Sequence, residues 1–509
     1  MQIEQEIKFR LPAPAARRLW RLTRRAAPPR QRNVTSVYYD TPKQHLRRHG
    51  VSIRLRRDGT RWLQTLKLEA APSAGFSARA EWEFPARRGE LDATRFPREE
   101  ILAATGLDLA RLPGKLRPLF ETRFARRSAA ILIDGATRAE ISVDRGHVAA
   151  GGLSEEISEV ELELKAGDAE SLLRYAGEIA APLGLELEFE SKAERGYRLA
   201  AGEEFPRPRK WRRPSLGALA TPSEAFSAIC MAALAQAGAN ARGVAHASDP
   251  EYLHQMRVGL RRLRSALRAF RALVPKKAEK PVVTRLRALA PPLGAARDWD
   301  VFCEGLVRIS AQEPERAPPL GQLLARARGK RAGARRLARA AAGSPKMQAF
   351  LLRALRWLST SPWRKRAGGA ETSLARFAAT ALDSLQRKAL QEADGIDWAD
   401  AARRHQLRIR IKRLRYACDF FAASFPGALA QPYLKRLAAL QDILGDLNDI
   451  AVARRLLAPL APRGSPADLS SASAYVARAL GARERTVVIS LQPAWKEFEK
   501  RRPFWASGR

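Results

Sequence analysis

The sequence predicts an α+β protein with an N-terminal antiparallel β-barrel tunnel and an all-α domain of two duplicated helical-bundle halves. Three observations predict this fold. Short segments that alternate charged and apolar residues occupy positions 1–200, Ala/Leu/Arg-rich stretches at helical spacing follow, and one helical pattern occurs twice. We expect the first domain to span 1–202, a Pro/Arg-rich linker 203–215, and the helical domain 216–509.

The charge balance predicts an anionic partner. The 509 residues include 91 Lys+Arg and 53 Asp+Glu, a net charge of +38, most of which falls after residue 200. The sequence contains no run of ~18 apolar residues, which a membrane-spanning helix would need. The three cysteines (Cys230, Cys303 and Cys418) are widely separated, which is typical of a reducing compartment. We therefore expect a cytoplasmic protein that could associate with polyphosphate granules.

Six predicted strands each have one charged and one apolar face. The charged faces are Glu4, Glu6 and Lys8; Arg54 and Arg56; Thr65 and Lys67; Arg79, Glu81 and Glu83; Glu140, Ser142 and Asp144; and Glu159, Glu161, Glu163 and Lys165. A sheet with one face in water would explain any single strand. Like charges ~7 Å apart on one strand favour instead a barrel that holds counterions in its lumen. Carboxylates there could bind Mg²⁺, and the basic residues could bind the oxygens of a polyanion.

Eight short motifs occur in a fixed order along the first 200 residues. They are ExExK (4–8), SIRLR (52–56), TLK (65–67), RAEWEF (79–84), FETRFAR (120–126), EISVDRG (140–146), EVELELKAG (159–167) and SKAERGY (191–197). In this order they resemble the CYTH superfamily, the triphosphate tunnel metalloenzymes. The resemblance implies a tunnel in which a metal-bound phosphate chain is hydrolysed.

The same resemblance assigns roles to individual residues. The implied ligands of Mg²⁺, with Mn²⁺ as the alternative, are Glu4, Glu6, Asp144, Glu161 and Glu163. The implied catalytic residues are Lys8, Arg54, Arg56 and Glu81, and the implied substrate-binding residues are Lys67, Arg79, Arg126 and Lys192. Which of Arg123, Arg126 and Arg127 faces the tunnel stays open, as does the number of metal ions.

The helical domain contains a copy of itself at an offset of 151 residues. LHQMRVGLRRLRSALRAF (253–270) aligns with RHQLRIRIKRLRYACDFF (404–421), and the register continues without a gap. Between 254–301 and 405–452, 19 of 48 positions are identical. We expect two halves, at about 225–310 and 375–460, related by pseudo-symmetry.

In each copy of the repeated helix, the residue spacing predicts an apolar stripe beside a ridge of basic residues, called here the basic ridge. The first ridge is His254, Arg257, Arg261 and Arg264, and the second is His405, Arg408, Lys412 and Arg415. Cations along packed helices repel each other unless a polyanion lies among them. The paired helices resemble the CHAD domain, the conserved-histidine α-helical domain. This resemblance implies that the two ridges line one polyphosphate-binding channel.

Together the two resemblances imply metal-dependent hydrolysis of inorganic triphosphate to pyrophosphate and phosphate, with polyphosphate as a second ligand. Two alternatives remain: a non-catalytic polyphosphate-binding or targeting protein, and a CYTH enzyme acting on ATP or thiamine triphosphate. Nucleic acid is a weaker candidate because aromatic residues are scarce in the basic stretches. A membrane partner is not expected, and no protein partner can be inferred.

Overall fold

A computed structural model describes residues 2–506 apart from 24–27, 69–75, 88, 113, 217–219, 313–316, 361–362 and 364–372. For residues 2, 3, 77–79 and 317 it describes the backbone alone. The chain forms two compact units. The first comprises residues 1–212, 234–243 and 345–360, and the second comprises 213–233, 244–344 and 361–509.

The first unit is built on a nine-stranded antiparallel sheet. Its strands are β1 (Gln2–Arg10), β2 (Arg30–Asp40), β3 (Val51–Asp58), β4 (Arg61–Leu68), β5 (Phe76–Pro85), β6 (Arg117–Leu132), β7 (Arg138–Ala150), β8 (Leu153–Ala166) and β9 (Glu186–Leu187). The strand order is β5-β4-β3-β2-β6-β7-β8-β1-β9, and β1 also pairs with β5. The pairing therefore returns to its starting strand, which confirms the predicted tunnel-like antiparallel sheet.

The strand period of two separates the tunnel from the core. Ile7, Ile53 and Leu66 point outward and are fully buried, whereas the charged residues between them face inward. Helices α1 (Ala15–Leu22), α2 (His45–Arg48), α3 (Arg98–Thr105) and α4 (Ala169–Leu183) belong to the same unit. The apolar residues of β3 to β5 pack with those of α2 and α3 in one core cluster. The outer face of the sheet is thus the hydrophobic core of this unit, and its inner face is left for charged groups.

Helix α5 (Lys192–Ala200) packs against β6, β7 and β8. It begins with a capping box, in which the Ser191 side chain accepts from the Glu194 backbone N–H and the Glu194 side chain accepts from the Ser191 backbone N–H. A Cβ on Gly196 would lie 2.0 Å from the Phe120 ring, so only glycine permits this approach. The cap and the close contact fix the position of Lys192 in the first turn.

The second unit is helical, as predicted. The remaining helices of the chain are α6 (Pro222–His246), α7 (Pro250–Ala269), α8 (Lys276–Gln312), α9 (Ala317–Ala342), α10 (Pro345–Thr360), α11 (Leu374–Ala393), α12 (Ala401–Phe421), α13 (Gly427–Leu457) and α14 (Ala467–Glu499). Of these, α10 is part of the first unit, and α6 contributes residues to both. Among the described residues, no helix is long and apolar enough to cross a membrane.

The repeated helices α7 and α12 are equivalent in structure as well as in sequence. Asp249 caps α7 and Asp400, 151 positions later, caps α12. The rings of Phe270 and Phe421, which are also equivalent, lie 5.0 Å apart. When equivalent residues of two copies touch, an approximate two-fold axis passes between them. The apolar stripe of each helix is buried.

Candidate functional site

The first unit contains a cavity of about 610 Å³ on the inner face of its sheet. Among the described residues, 24 line this cavity, and 15 of these are charged. The basic ones are Lys8, Arg32, Arg54, Arg56, Lys67, Arg126, Lys165 and Lys192, and the acidic ones are Glu4, Glu6, Glu81, Glu83, Glu140, Glu161 and Glu163. An enclosed space with both signs of charge matches a ligand that carries anionic groups and cations together.

Three carboxylates form a buried layer at one side of the cavity. Ligand atoms of Asp144, Glu159 and Glu161 lie within 4.8 Å of one another. The Lys192 ammonium donates to all three, at 2.7 Å to Asp144 and 3.0 Å to Glu161. Burial alone would lower the pKa of Lys192, but the three carboxylates outweigh it and raise this pKa. Lys192 is therefore held fully charged.

Arg126 and Lys8 complete the neutralisation of this layer. Arg126 donates two hydrogen bonds to Asp144, at 2.7 and 2.6 Å, and one to Glu161 at 2.5 Å. Lys8 contacts Glu161 at 2.8 Å. Burial would raise the pKa of Glu161, but Lys192, Lys8 and Arg126 hold it well below its usual range. The layer thus fixes three basic groups at the cavity wall.

A second acidic group, Glu4, Glu6 and Glu163, lines the cavity on β1 and β8. Glu6 and Glu163 are directly opposite each other across the strand pair, and Glu4 is two residues from Glu6 on the same face. Burial raises the pKa of Glu163, and the charges of Glu4 and Glu6 raise it further. Lys67 contacts Glu4 at 2.6 Å, Lys8 contacts Glu6 at 3.2 Å, and Lys165 contacts Glu163 at 2.5 Å.

These carboxylates are a suitable donor set for a divalent cation. They are hard oxygen ligands on neighbouring strands of one wall, and their mutual repulsion falls when a cation lies between them. Of the five predicted metal ligands, Glu4, Glu6 and Glu163 belong to this group. Asp144 and Glu161, the other two, lie in the buried layer and pair with Arg126 and Lys192. The donor chemistry fits Mg²⁺ and Mn²⁺ equally.

The arginines of β3 have donors available for a ligand. Arg54 contacts Glu81 at 3.7 Å, and Arg56 pairs with Glu83. The Nε atoms of both arginines are buried and find no hydrogen-bond acceptor among the described residues. Lys67 links Glu4 to Glu81, at 2.6 and 3.1 Å. A guanidinium with an unsatisfied buried N–H is suited to a phosphate oxygen.

The structure distinguishes the three arginines of β6. Arg126 lines the cavity, whereas Arg123 pairs with Glu121 and is mostly exposed, and the Arg127 guanidinium lies over the Trp20 ring at 4.9 Å. Arg79 is on β5, opposite Glu4, but its side chain lies outside the described part of the chain. The other predicted tunnel residues line the cavity, except the deeper Asp144.

Sequence reasoning missed several lining residues. Arg32 and Tyr38 lie on β2, which has no alternation of charged and apolar residues and was not among the six predicted strands. Tyr38 Oη accepts from Arg54 at 3.5 Å. Glu83, Glu140 and Lys165 also line the cavity. They lie on the charged strand faces that the alternation predicted, although no individual role was assigned to them.

In the second unit, basic residues of both predicted ridges come together. Arg261 of α7 donates to Tyr416 Oη of α12 at 2.6 Å. Burial lowers the pKa of Lys412 most strongly, Arg261 and Arg408 also lower it, and Asp449 opposes them, so that this pKa is about 7. Arg257 also acts on Lys412 and lies against Gly294 of α8, where a Cβ would stand 2.9 Å from its Nη1. The two ridges thus meet at Arg257, Arg261, Arg408 and Lys412.

The remaining ridge residues lie at the edges of this cluster. His254 is half-buried; burial lowers its pKa, and Arg297 lowers it further. Burial and then Arg261 lower the pKa of Arg264. His405 is exposed, and Arg415 contacts Asp442 at 3.8 Å. The structure therefore brings together the central four ridge residues more closely than the two histidines.

Family models match both units. A CYTH domain model matches residues 2–197, and a CHAD domain model matches residues 228–458. These matches and the fold define a protein in which a tunnel-like antiparallel sheet is joined to a duplicated helical domain. The chain belongs to the CHAD family and carries a CYTH domain before it, so both predicted resemblances are confirmed.

Similar proteins include a solved CHAD domain and two inorganic triphosphatases. The solved CHAD domain of the plant Ricinus communis is 32% identical with a TM-score of 0.51, over 58% of this chain and 98% of that one. An inorganic triphosphatase of Haemophilus influenzae is 26% identical over 171 residues, which are 33% of this chain and 46% of that protein. The chain thus matches about half the length of that relative. A solved inorganic triphosphatase is 22% identical, with a TM-score of 0.16, over 34% of this chain and 79% of that one.

Proposed function

We propose that the protein hydrolyses inorganic triphosphate to pyrophosphate and phosphate in the tunnel of its first unit, with Mg²⁺ as cofactor, and that its second unit binds polyphosphate. The proposal places the protein in the cytoplasm. The observation that carries it is the cavity of about 610 Å³ in which eight basic and seven acidic described side chains meet. The activity of the Haemophilus influenzae relative supports the choice of reaction.

The basic residues bind and extend the phosphate chain. Lys8, Arg126 and Lys192 pair with the buried carboxylates at one wall, and Arg54 and Arg56 line the cavity from β3. Because these groups are fixed before the substrate arrives, they stabilise developing charge on phosphate oxygens without reorganisation. Glu81, between Arg54 and Lys67, orients both cations toward the substrate.

Glu4, Glu6 and Glu163 are the carboxylates that would hold the metal, and Asp144 and Glu161 are the further predicted ligands. Mg²⁺, when bound, supplies neutralisation of the phosphate oxygens. In phosphoryl transfer, positioning and charge stabilisation account for nearly all of the catalysis. The chain's own contribution is therefore the placement of its cations around the terminal phosphate, with water attacking in line.

Inorganic triphosphate fits this site better than an organic triphosphate does. The charged majority of the lining offers contacts to phosphate oxygens along the whole cavity, and tripolyphosphate has such oxygens at every position. A nucleoside or thiamine group would leave many of these charges without a partner, which is costly.

The meeting of the two ridges supports polyphosphate binding by the second unit. Arg257, Arg261, Arg408 and Lys412 come from both copies of the repeat, and their like charges repel each other. A linear polyanion between α7 and α12 would relieve this repulsion along its length. The local excess of cations makes binding salt-dependent.

The test of the reaction is release of phosphate from tripolyphosphate, ATP and thiamine triphosphate, each with Mg²⁺ and with EDTA. We expect rapid, Mg²⁺-dependent release from tripolyphosphate and slower release from the other two. Faster turnover of an organic triphosphate would identify a different substrate. Binding of tripolyphosphate without any hydrolysis would identify the tunnel as a receptor.

A further inference from the structure

A second cavity, of about 550 Å³, lies entirely within the second unit, between the C-terminal end of α7 and the helices α11 and α12. It shares no lining residue with the tunnel cavity. Its volume is in the range of small-molecule sites, which is about 300–1,000 Å³. The two assigned ligands, triphosphate and polyphosphate, leave this cavity without a role.

Five of the residues that line this cavity are basic: Arg268, Arg271, Lys388, Arg410 and Arg413. Among the described residues, none that lines it is acidic. Arg410 contacts Glu392 at 3.2 Å, whereas Arg413 Nε is buried and finds no acceptor among the described residues. Burial, and after it the charge of Arg413, lowers the pKa of Arg268 to about 10. Such a cluster favours an anion with several charges.

The rest of the described lining is mostly apolar. Phe377, Leu385 and three alanines form it, together with the hydroxyls of Thr380 and Ser384. The Phe377 ring is fixed by near-parallel stacking on Phe270, at 5.3 Å between centroids. An inorganic phosphate chain has no group that an apolar surface could bind. The ligand must therefore join phosphates to an organic part that is apolar on its faces and polar at its edges.

We propose that this cavity binds a nucleoside polyphosphate, whose phosphates contact the arginine cluster and whose base and sugar lie on Phe377 and Leu385. Base contacts with aromatic rings do not depend strongly on base identity, so several nucleotides would be accepted. Ser384 would donate to polar atoms of the sugar or base, and Thr380, whose hydroxyl donates to the Arg376 carbonyl, would accept from them. The site lies outside the proposed catalytic tunnel, so its occupancy is a separate function of the second unit.

The test is photoaffinity labelling of the full-length protein with 2-azido-ATP in EDTA, followed by peptide mapping. We expect label in 374–393, and we expect ATP to protect this segment at least tenfold better than tripolyphosphate does. The variant Ser384→Trp, which fills part of the cavity and keeps every cation, should abolish the label in this segment. Arg268→Gln with Arg413→Gln should reduce it about tenfold or more.

The matched control is Arg387→Gln, which removes one charge from an exposed position of α11 that does not line the cavity. In this variant, the amount of label in residues 374–393 should equal that in the wild type. Labelling confined to residues 2–197 would overturn the proposal. Equal protection by tripolyphosphate, or unchanged labelling of Ser384→Trp with a native circular dichroism spectrum, would overturn it as well.

Discussion

The side chain of Lys192 determines the charge state of one wall of the tunnel. Its ammonium contacts Asp144, Glu159 and Glu161, and Arg195 also donates to Glu159 at 2.9 Å. Taking these ions out of water is expensive, so each must keep its partners. No periodicity in the sequence could show this, because Lys192 comes from a helix and the three carboxylates from strands.

Replacing Lys192 by Met should therefore destabilise the protein strongly. Removing one member of a buried ionic cluster typically costs about 3–5 kcal/mol because the other charges remain without a partner. The measurement is the free energy of unfolding in denaturant. Lys165→Met is the control, because its half-exposed pair with Glu163 should contribute less than about 1 kcal/mol. Equal effects of the two substitutions would contradict the buried-layer account.

Lys412 makes the second unit sensitive to pH. Its pKa of about 7 reflects burial, the cations Arg257, Arg261 and Arg408, and the opposing carboxylate Asp449. The unfolded chain keeps this proton up to about pH 10.4, so between pH 7 and that value the unfolded state binds more protons. The contribution of Lys412 to the free energy of unfolding therefore rises as the pH increases from 7 to about 10.4.

A polyanion bound at the ridges should return the proton to Lys412. At pH 8 we expect polyphosphate binding to take up nearly one proton, measured by calorimetry in two buffers of different ionisation enthalpy. Lys412→Met should remove this uptake. Lys435→Met, at an exposed position of α13, should leave it unchanged. Binding to the wild type without proton uptake would contradict the placement of polyphosphate beside Lys412.

At the scale of elements, strand parity predicted which side chains enter the tunnel but not how deep they lie. Asp144 and Glu163 share the inward parity, yet Asp144 is fully buried and Glu163 lines the cavity. The difference arises from α5, which packs against β6, β7 and β8. Strand β2 was missed because Ser36 and Tyr38 alternate with Thr35 and Val37 between Arg32 and Asp40, so neither face carries a continuous run of charged residues.

The repeated helices allow a prediction for each ridge. Arg257→Ala with Arg261→Ala, or Arg408→Ala with Lys412→Ala, should weaken polyphosphate binding about tenfold or more and reduce its salt dependence. Either pair of substitutions should also raise the melting temperature of the ligand-free protein by a few degrees, because like charges are removed. A shift of this size corresponds to an increase of about 1 kcal/mol in the free energy of unfolding.

Arg478→Ala with Arg485→Ala, at exposed positions of α14, is the control for the loss of two charges. Neither ridge pair should change tripolyphosphate hydrolysis at saturating substrate, because the proposed catalytic residues are in the first unit. If duplex DNA of equal charge bound as tightly as polyphosphate and the ridge variants affected both, the ridges would be a general basic surface.

For the whole molecule, the sequence predicted two domains, their order and the duplication, because hydrophobic period and internal repetition are local signals. It could not predict the α7–α12 pairing through Phe270 and Phe421, nor the cavity beside Phe377, because these depend on which buried faces meet. It also missed that residues 345–360 form α10 and belong to the first compact unit.

The central claim is that Glu4 and Glu6 hold the metal that hydrolysis requires. The most direct measurement is phosphate release from tripolyphosphate across a Mg²⁺ titration, for the wild type, for Glu4→Gln with Glu6→Gln, and for Gln5→Glu on the opposite strand face. We expect the double variant to lose activity at every Mg²⁺ concentration while it keeps a native circular dichroism spectrum, and the Gln5 variant to stay near wild type. Near-wild-type turnover of the double variant at saturating Mg²⁺ would contradict the metal assignment.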